Sequence, residues 1–321
     1  MNLAASRIAI VGVTGVVGRE ILSILESLAV PPSAIVPLAS PKSVGTRIPY
    51  SGSSIQVREA TPQSFVGCRI ALFASSSAVA RELAPHAVEA GATVIDNSSE
   101  FRMRPGIPLV VPEINGHSAL RASPAPKVIA NPNCSTIILL TAIEPLRAAF
   151  GLRSVHVATY QAVSGAGRAG LDALKAESQA AVRDGSPARA QDSPFVEPCF
   201  FNVFSHNSAV DPSSGLNGEE RKIIDESRKI LGLPSLELTP TCVRVPVERA
   251  HSQAISLRLE HKATETHVRE AYASHAQSGV IRIVDDRAGN RFPTPLKAAG
   301  QDHVLVGRIR PDPARPVDSD G

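Results

Sequence analysis

Gly12, Gly15 and Gly18 recur at three-residue intervals, directly after the strand-like run 7–11 and directly before a helical pattern that reaches about residue 28. A strand, a glycine turn and a helix in that order describe the opening of a dinucleotide-binding unit. Gly12 allows the tight turn, Gly15 lets backbone approach a pyrophosphate, and Gly18 brings helix and strand into close packing. The turn makes Gly12, Thr14, Gly15, Val16, Val17 and Gly18 candidate cofactor-binding residues. The alternative is a tight strand-to-helix turn with no ligand. Further alternation follows: strands are predicted at 34–39, 69–74, 92–96, 109–111 and 127–130, with a helix at 78–90. Alternating units of this kind build a mostly parallel sheet. The expected class is α/β, with an N-terminal Rossmann-like nucleotide-binding domain over residues 1–130.

The second strand should end beside the adenosine ribose, where an NAD-preferring site often carries Asp or Glu. The sequence there is Ser40-Pro41-Lys42-Ser43, with no acid. A lysine and two hydroxyls suit a 2′-phosphate, so Ser40, Lys42 and Ser43 point to NADP. The strand at 92–96 ends in a polar loop holding Arg102, a candidate anion ligand because ligands of such sheets bind at the carboxyl ends of strands.

The stretch Asn131-Pro132-Asn133-Cys134-Ser135-Thr136-Ile137 lies between the strand 127–130 and a helix predicted over 135–150. Pro132 and Asn133 suit a sharp turn. Cys134 then stands at the positive end of a helix, which favours thiolate over thiol and can lower a cysteine pKa from about 8.5 towards ~3.5–7.5. The same N–H groups can hold an oxyanion. A small buried apolar cysteine is the competing reading.

After that helix the pattern changes to α+β, over residues 131–310. A long strand at 154–163 carries Gln161 and ends in Ser164-Gly165-Ala166-Gly167, where Ser164 and Gly165 join the candidate cofactor contacts. A loop is expected at 184–194. An amphipathic helix at 217–231 places Glu219 and Lys222 on one face. Strands are expected at 241–247 and 254–259, with Arg244 and His251 seven residues apart. A helix at 266–276 and strands at 280–284 and 304–309 follow. Residues 311–321 are rich in proline and acid and are expected to be disordered.

Composition excludes several classes. A net charge of +3 and 4% aromatic residues leave little for nucleic acid to bind. No apolar run approaches the ~18 residues that span a bilayer, and the opening MNLAASRIAIVG has no signal-peptide shape. Four cysteines, Cys68, Cys134, Cys199 and Cys242, form no CxxC pair, so neither a disulfide frame nor a metal site is suggested. A cytoplasmic protein without a membrane partner is expected.

Six motifs, DNSSEFR with PLVVPEIN, NPNCSTI, TYQAVSGAG, GEERKI, TCVRVPVERAHS and FPTPL, stand in this order, and with GVTGVVG and VGRIR they span nearly the whole chain. In these the sequence resembles the bacterial aspartate-β-semialdehyde dehydrogenases. The resemblance implies NADPH-dependent reductive dephosphorylation of 4-phospho-L-aspartate, on the route to lysine, threonine and methionine, by a homodimer whose second domain also dimerises. It implies Cys134 as nucleophile and His251 as acid/base, the latter with a pKa near ~6.5. It further implies Gln161 and Asn133 beside the substrate, Arg244 on its carboxylate, Glu219 on its ammonium group, and Arg102 and Lys222 on its phosphate. Three departures accompany it. Lys42 stands where arginine is common, and Ser75-Ser76-Ser77 replaces a glycine-rich turn. The family's returning C-terminal segment does not follow VGRIR, from which weak activity is expected. Two rivals remain open: an N-acetylglutamyl-phosphate reductase-like enzyme, which has no obvious use for Glu219, and a non-catalytic nucleotide-binding paralogue.

Overall fold

The computed structural model describes residues 6–121, 124–185, 188–276 and 279–314. The chain divides into two compact units, Met1–Asn133 and Cys134–Gly321.

In the first unit β1 (Ile8–Val11) leads through the glycine turn into α1 (Val16–Ser27), and β2 (Ile35–Ala39) follows. A hairpin of β3 (Arg47–Tyr50) and β4 (Ser53–Gln56) precedes β5 (Arg58–Glu59) and β6 (Ile70–Phe73). Then come α2 (Ser77–Glu89), β7 (Thr93–Asp96), α3 (Pro112–Leu120) and β8 (Val128–Ala130). Six strands form one sheet in the order β5-β2-β1-β6-β7-β8, and every pair is parallel. In chain order this is 3-2-1-4-5-6, the Rossmann order, with its reversal between β1 and β6. All four residues of β1 are buried, as expected of a central strand covered on both faces. The turn after β1 and the first turn of α1 each tolerate only glycine at one point. Gly12 has φ +84°, and a Cβ there would lie 2.3 Å from the Ala74 carbonyl oxygen. A Cβ on Gly18 would lie 2.3 Å from the Gly12 oxygen. Close packing of α1 on β1 therefore requires both.

The strand predicted at 109–111 is absent as a strand. Leu109 makes a single parallel bridge to Ala130, because Pro108 supplies no N–H and Pro112 already opens α3. The serines at 75–77 serve α2: Ser76 caps it, its Oγ accepting from the Val79 N–H at 3.4 Å.

The second unit begins with α4 (Cys134–Phe150), β9 (Ser154–Gln161) and α5 (Gly167–Asp184). It continues with β10 (Phe204–Ser205), α6 (Gly218–Leu231), β11 (Glu237–Arg244) and β12 (Ser252–Arg258). The last elements are α7 (Glu265–Ala276), β13 (Ile281–Ile283), α8 (Pro295–Ala298) and β14 (Val304–Val306). The main sheet runs β10-β11-β9-β12. β9 and β11 are parallel, with Gln161 opposite Arg244, so both strands end at one edge. β12 is antiparallel to β9 and starts at that edge, Ser252 facing Tyr160. Three strands thus deliver Gln161, Arg244 and the residue before Ser252 to one place. Leu139, Leu140 and Ile143 bury the inner face of α4, each contributing about 1.5–3 kcal/mol by removal from water.

α5 was not anticipated; its opening Ser-Gly-Ala-Gly reads as loop. Its Glu177 holds the segment that follows. The carboxylate accepts from the Ala190 N–H (3.1 Å), the Cys199 N–H (2.6 Å) and the Phe200 N–H (3.1 Å), and from the Cys199 thiol (2.9 Å). Burial alone would raise the pKa of Glu177, but these hydrogen bonds more than offset it and the net shift is downward. The predicted tail lies largely in residues 315–321, outside the described residues. Among the described residues no helix is long and apolar enough to cross a membrane.

Candidate active site

Cys134 is the first residue of α4, so its sulfur stands at the positive end of the helix, and no acidic residue in the first turn opposes that field. It is exposed, whereas Cys68, Cys199 and Cys242 are buried. Burial pushes the Cys199 and Cys242 thiols up to about 12. Of the four, Cys134 has the surroundings of a nucleophile.

His251 Nε2 lies 3.3 Å from Cys134 Sγ. The other ring nitrogen, Nδ1, accepts a hydrogen bond from the Ala162 N–H at 2.9 Å. A backbone N–H can only donate, so Nδ1 presents its lone pair and the neutral ring carries its proton on Nε2, facing the sulfur. The His251 pKa is lowered to about 4, chiefly by burial and then by the Arg244 charge, against an upward pull from Glu219. A pKa near 6.5 is therefore not what this pocket gives. Two effects that the local sequence does not carry, desolvation and a neighbouring guanidinium, displace it.

Ala162 also holds Arg244: its carbonyl accepts from Nη1 at 2.7 Å. Nη2 of Arg244 donates to His206 Nε2 and Asn207 Oδ1, both at 2.8 Å, and the guanidinium lies over the Phe195 ring, 5.5 Å from its centroid. Since its Nε2 faces a guanidinium donor, His206 is neutral with its proton on Nδ1, 3.1 Å from Ser208 Oγ. The Ser208 N–H also approaches Nδ1, at 3.2 Å, but Arg244 cannot accept and so decides the tautomer. Burial, followed by Arg244, Lys222 and His251, outweighs Glu219 and brings the His206 pKa to about 4.

Glu219 is 3% exposed. Its Oε1 accepts from Gln161 Nε2 at 3.2 Å and its Oε2 from Lys222 Nζ at 3.3 Å. Gln161 Nε2 also donates to Thr159 Oγ1 at 3.3 Å. Asn217 fixes the start of α6: its Oδ1 accepts from the Glu219 and Glu220 N–H groups, while Glu220 Oε2 accepts from the Asn217 N–H at 2.8 Å. This is a capping box. Glu220 Oε1 then accepts from the Cys242 N–H at 3.0 Å, tying the helix to β11. A Cβ added to Gly165 would lie 3.0 Å from Arg244 Nη1 and 3.5 Å from His251 Nε2, so Gly165 keeps the space before both groups clear. Ser164 donates its N–H to the Glu248 carbonyl at 3.2 Å.

The structure thus gathers Cys134, His251, Gln161, Arg244, Glu219, Lys222 and Gly165 in the second unit. Arg102 and Asn133 belong to the first unit. Arg102 is buried, donating from Nε to the Asn131 carbonyl (3.0 Å) and from Nη2 to the Asn97 carbonyl (2.8 Å); Asn133 is buried as well. Ser40 and Lys42 are exposed and Ser43 half-buried. Beside them, β5 sets Glu59 next to Ala39 in register, an acid that local sequence reading around residue 40 does not find. Ala162, His206, Asn207 and Ser208 were also missed. Ala162 acts through its backbone, and 206–208 carry no periodic or motif signal.

Two family models match the chain: a semialdehyde dehydrogenase NAD binding domain over residues 7–122 and a semialdehyde dehydrogenase dimerisation domain over residues 143–318. The chain is 40% identical over 310 residues to an aspartate-semialdehyde dehydrogenase of Synechocystis sp., covering 97% of this chain and 89% of the relative. It is 37% identical over 313 residues to one of Bacillus subtilis, covering 95% and 88%. Among solved structures it is similar to aspartate semialdehyde dehydrogenase II of Vibrio cholerae complexed with ASA, with a TM-score of 0.88 and 35% identity, covering 97% of this chain and 89% of that one.

Proposed function

The chain belongs to the aspartate-semialdehyde dehydrogenase family, and from that premise we propose that it catalyses the NADPH-dependent reductive dephosphorylation of 4-phospho-L-aspartate to L-aspartate 4-semialdehyde, a step towards lysine, threonine, methionine and diaminopimelate. The single observation that carries the chemistry is the contact of Cys134 Sγ with His251 Nε2 at 3.3 Å, at the first turn of a helix.

Cys134, as thiolate, attacks the acyl-phosphate carbonyl; the C–O bond to phosphate breaks and a thioester forms. NADPH, when bound, supplies the hydride that takes the thioester to the aldehyde level. The resulting tetrahedral alkoxide on Cys134 collapses to the aldehyde and returns the thiolate. Neither step requires His251 to take up a proton. Its Nε2–H stabilises first the thiolate and then the alkoxide by hydrogen bonding. Arg244 takes the substrate carboxylate and Glu219 its ammonium group, with Gln161 and Asn133 alongside. Arg102 and Lys222 take the phosphate. Both Nη2 hydrogens of Arg244 are engaged, so the carboxylate meets Nη1 rather than a free bidentate fork.

The glycine turn fits the cofactor. α1 begins without a side-chain cap and without an acid in its first turn, so its positive end remains for a pyrophosphate. Gly12, Thr14, Gly15, Val16, Val17 and Gly18 would line it, Ser40, Lys42 and Ser43 would take the 2′-phosphate, and Ser164 and Gly165 would flank the nicotinamide end. Residues 1–130 form the NADP-binding domain and 131–310 the catalytic and dimerisation domain of a cytoplasmic homodimer. Glu219 supports a free ammonium group over the acylated amine of an N-acetylglutamyl-phosphate reductase, and the named relatives favour the same reading. The test is formation of NADPH from L-aspartate 4-semialdehyde, phosphate and NADP. Turnover with N-acetylglutamate 5-semialdehyde instead would reverse the assignment.

A further inference from the structure

Arg244 is 1% exposed, and all its hydrogen-bond acceptors are neutral: the Ala162 carbonyl on Nη1, and His206 Nε2 with Asn207 Oδ1 on Nη2. Among the described residues its Nε is buried without a hydrogen-bond partner, so the hydrogen bonds that hold the side chain are made by its outer nitrogens. Buried charges are ordinarily matched by an opposite charge at contact distance. Among the described residues no carboxylate touches this guanidinium and Glu219 acts on it only from beyond hydrogen-bond distance, so its charge is only partly compensated in a poorly solvated place, where an arriving carboxylate gains most from it.

The segment that supplies the two neutral acceptors also reaches the anion of the site. Phe204, at its start, pairs with Arg244 in the sheet. His206 Nδ1 lies 3.1 Å from Ser208 Oγ, and that oxygen accepts from the Glu219 N–H at 3.0 Å. One short stretch therefore connects the cation to the anion through three hydrogen bonds and fixes the distance between them.

We propose that His206 and Asn207 are positioning residues that set specificity for the substrate carboxylate. They hold Arg244 by its Nη2 edge with acceptors that do not neutralise it, and with Ser208 they fix its spacing from Glu219, so that the pair selects a small amino-acid zwitterion. The proposal rests on the assignment of Arg244 to the carboxylate given above. Asparagine at 207 is the telling choice: aspartate has the same shape and accepts as well, but would satisfy the charge internally.

The experiment compares Asn207→Asp, His206→Leu and His206→Gln with wild type and Arg244→Lys in the aldehyde-oxidising direction. The substrates are L-aspartate 4-semialdehyde and 3-aminopropanal, which lacks the carboxylate. Asn207→Asp is expected to raise KM for the semialdehyde about 10–100-fold, the worth of a charge-assisted contact, with kcat reduced by less than about threefold and kcat/KM for 3-aminopropanal within about twofold of wild type. His206→Leu follows the same pattern, and His206→Gln, which keeps an acceptor, recovers most of the loss. Equal losses on both aldehydes would mark a merely structural role and overturn the proposal. So would a semialdehyde KM that stays put in Asn207→Asp and His206→Leu while Arg244→Lys raises it, and in that case the function stands. If Arg244→Lys also leaves KM unmoved, the carboxylate assignment falls with it. Thermal unfolding screens each variant, and if Asn207→Asp does not fold, the contrast between His206→Leu and His206→Gln decides.

Discussion

The backbone N–H of Ala162 points at Nδ1 of His251 from 2.9 Å. The carbonyl of the same residue receives Nη1 of Arg244. Ala162 directly follows the last residue of β9, where φ is −61° and the strand gives way to a turn. One alanine without functional side-chain atoms therefore orients both the group beside the thiol and the principal cation. Protonating His251 would bring a second donor against the Ala162 N–H, beside a guanidinium, in a buried place. All three effects oppose the imidazolium.

The first prediction follows from that arrangement. His251 stays neutral with its proton on Nε2 through the working pH range. Ring 15N shifts of labelled protein should show the Nε2–H tautomer from about pH 8 down to about pH 5, and kcat/KM should lack an ionisation near the ordinary histidine value of about 6.5. An Nδ1–H ring, or an acid limb at about 6.5 that disappears in His251→Asn, would contradict it.

A stability prediction shares this cause. The pKa values of His206 and His251 are both lowered from 6.5 to about 4. Between those values the unfolded chain binds more protons than the folded one, so stability rises with pH. The two histidines favour the fold fully above pH 6.5, and this contribution fades as pH falls to about 4. Chemical denaturation at pH 7.5 and pH 5 should show the loss, and His206→Gln should lessen it. Equal pH slopes for wild type and variant would sink the account.

Alkylation should find Cys134 first. The other three thiols are buried, and burial raises the pKa of Cys68, Cys199 and Cys242. Limited iodoacetamide treatment with peptide mapping should mark Cys134 in step with loss of activity, and Cys134→Ala should abolish turnover. Earlier labelling of another cysteine would remove it from the mechanism.

Cofactor choice is proposed to rest on a loop that the sequence exposed only in part. Lys42 is exposed at the end of β2, while β5 brings Glu59 beside Ala39. Lys42→Glu places a carboxylate where the 2′-phosphate is expected. It should lower the NADP-to-NAD ratio of kcat/KM about 10–100-fold through like-charge repulsion. An unchanged ratio would mean that this loop does not read the phosphate.

What the sequence made legible follows from the range of the signals. The glycine turn needs only local sterics, and Gly12 and Gly18 are where local reading puts them. The Rossmann sheet follows from alternating strands and helices. Gln161 and Arg244 come from different motifs, yet the parallel register of β9 and β11 sets them side by side. The strand at 109–111 failed because two prolines flank a run that is otherwise strand-like. The hold on Arg244 was invisible because it is made by a backbone carbonyl and by His206 and Asn207, brought near by β10 pairing with β11. The shifted histidine values are likewise effects of burial, and burial has no local signature.

Gly165 offers the sharpest steric test of the site. Its backbone lies outside the left-handed region, so alanine costs the fold little there. The added Cβ, however, would stand 3.0 Å from Arg244 Nη1, 3.3 Å from His251 Cε1 and 3.5 Å from its Nε2. The first of these distances is tighter than ordinary contact, and Arg244 cannot yield without straining its bonds to Ala162, His206 and Asn207. A misplacement of about 1 Å in such a site can cost ~10²-fold in rate. Gly165→Ala should therefore lower kcat/KM for the semialdehyde about 10–100-fold while the unfolding midpoint moves by less than about 4 °C, the shift that ~1 kcal/mol gives a domain of this size. Gly165→Ser should do the same or worse. Wild-type turnover in Gly165→Ala would show that the substrate does not pass before Nη1 and Nε2. A large fall in the unfolding midpoint would show that Gly165 serves the fold instead.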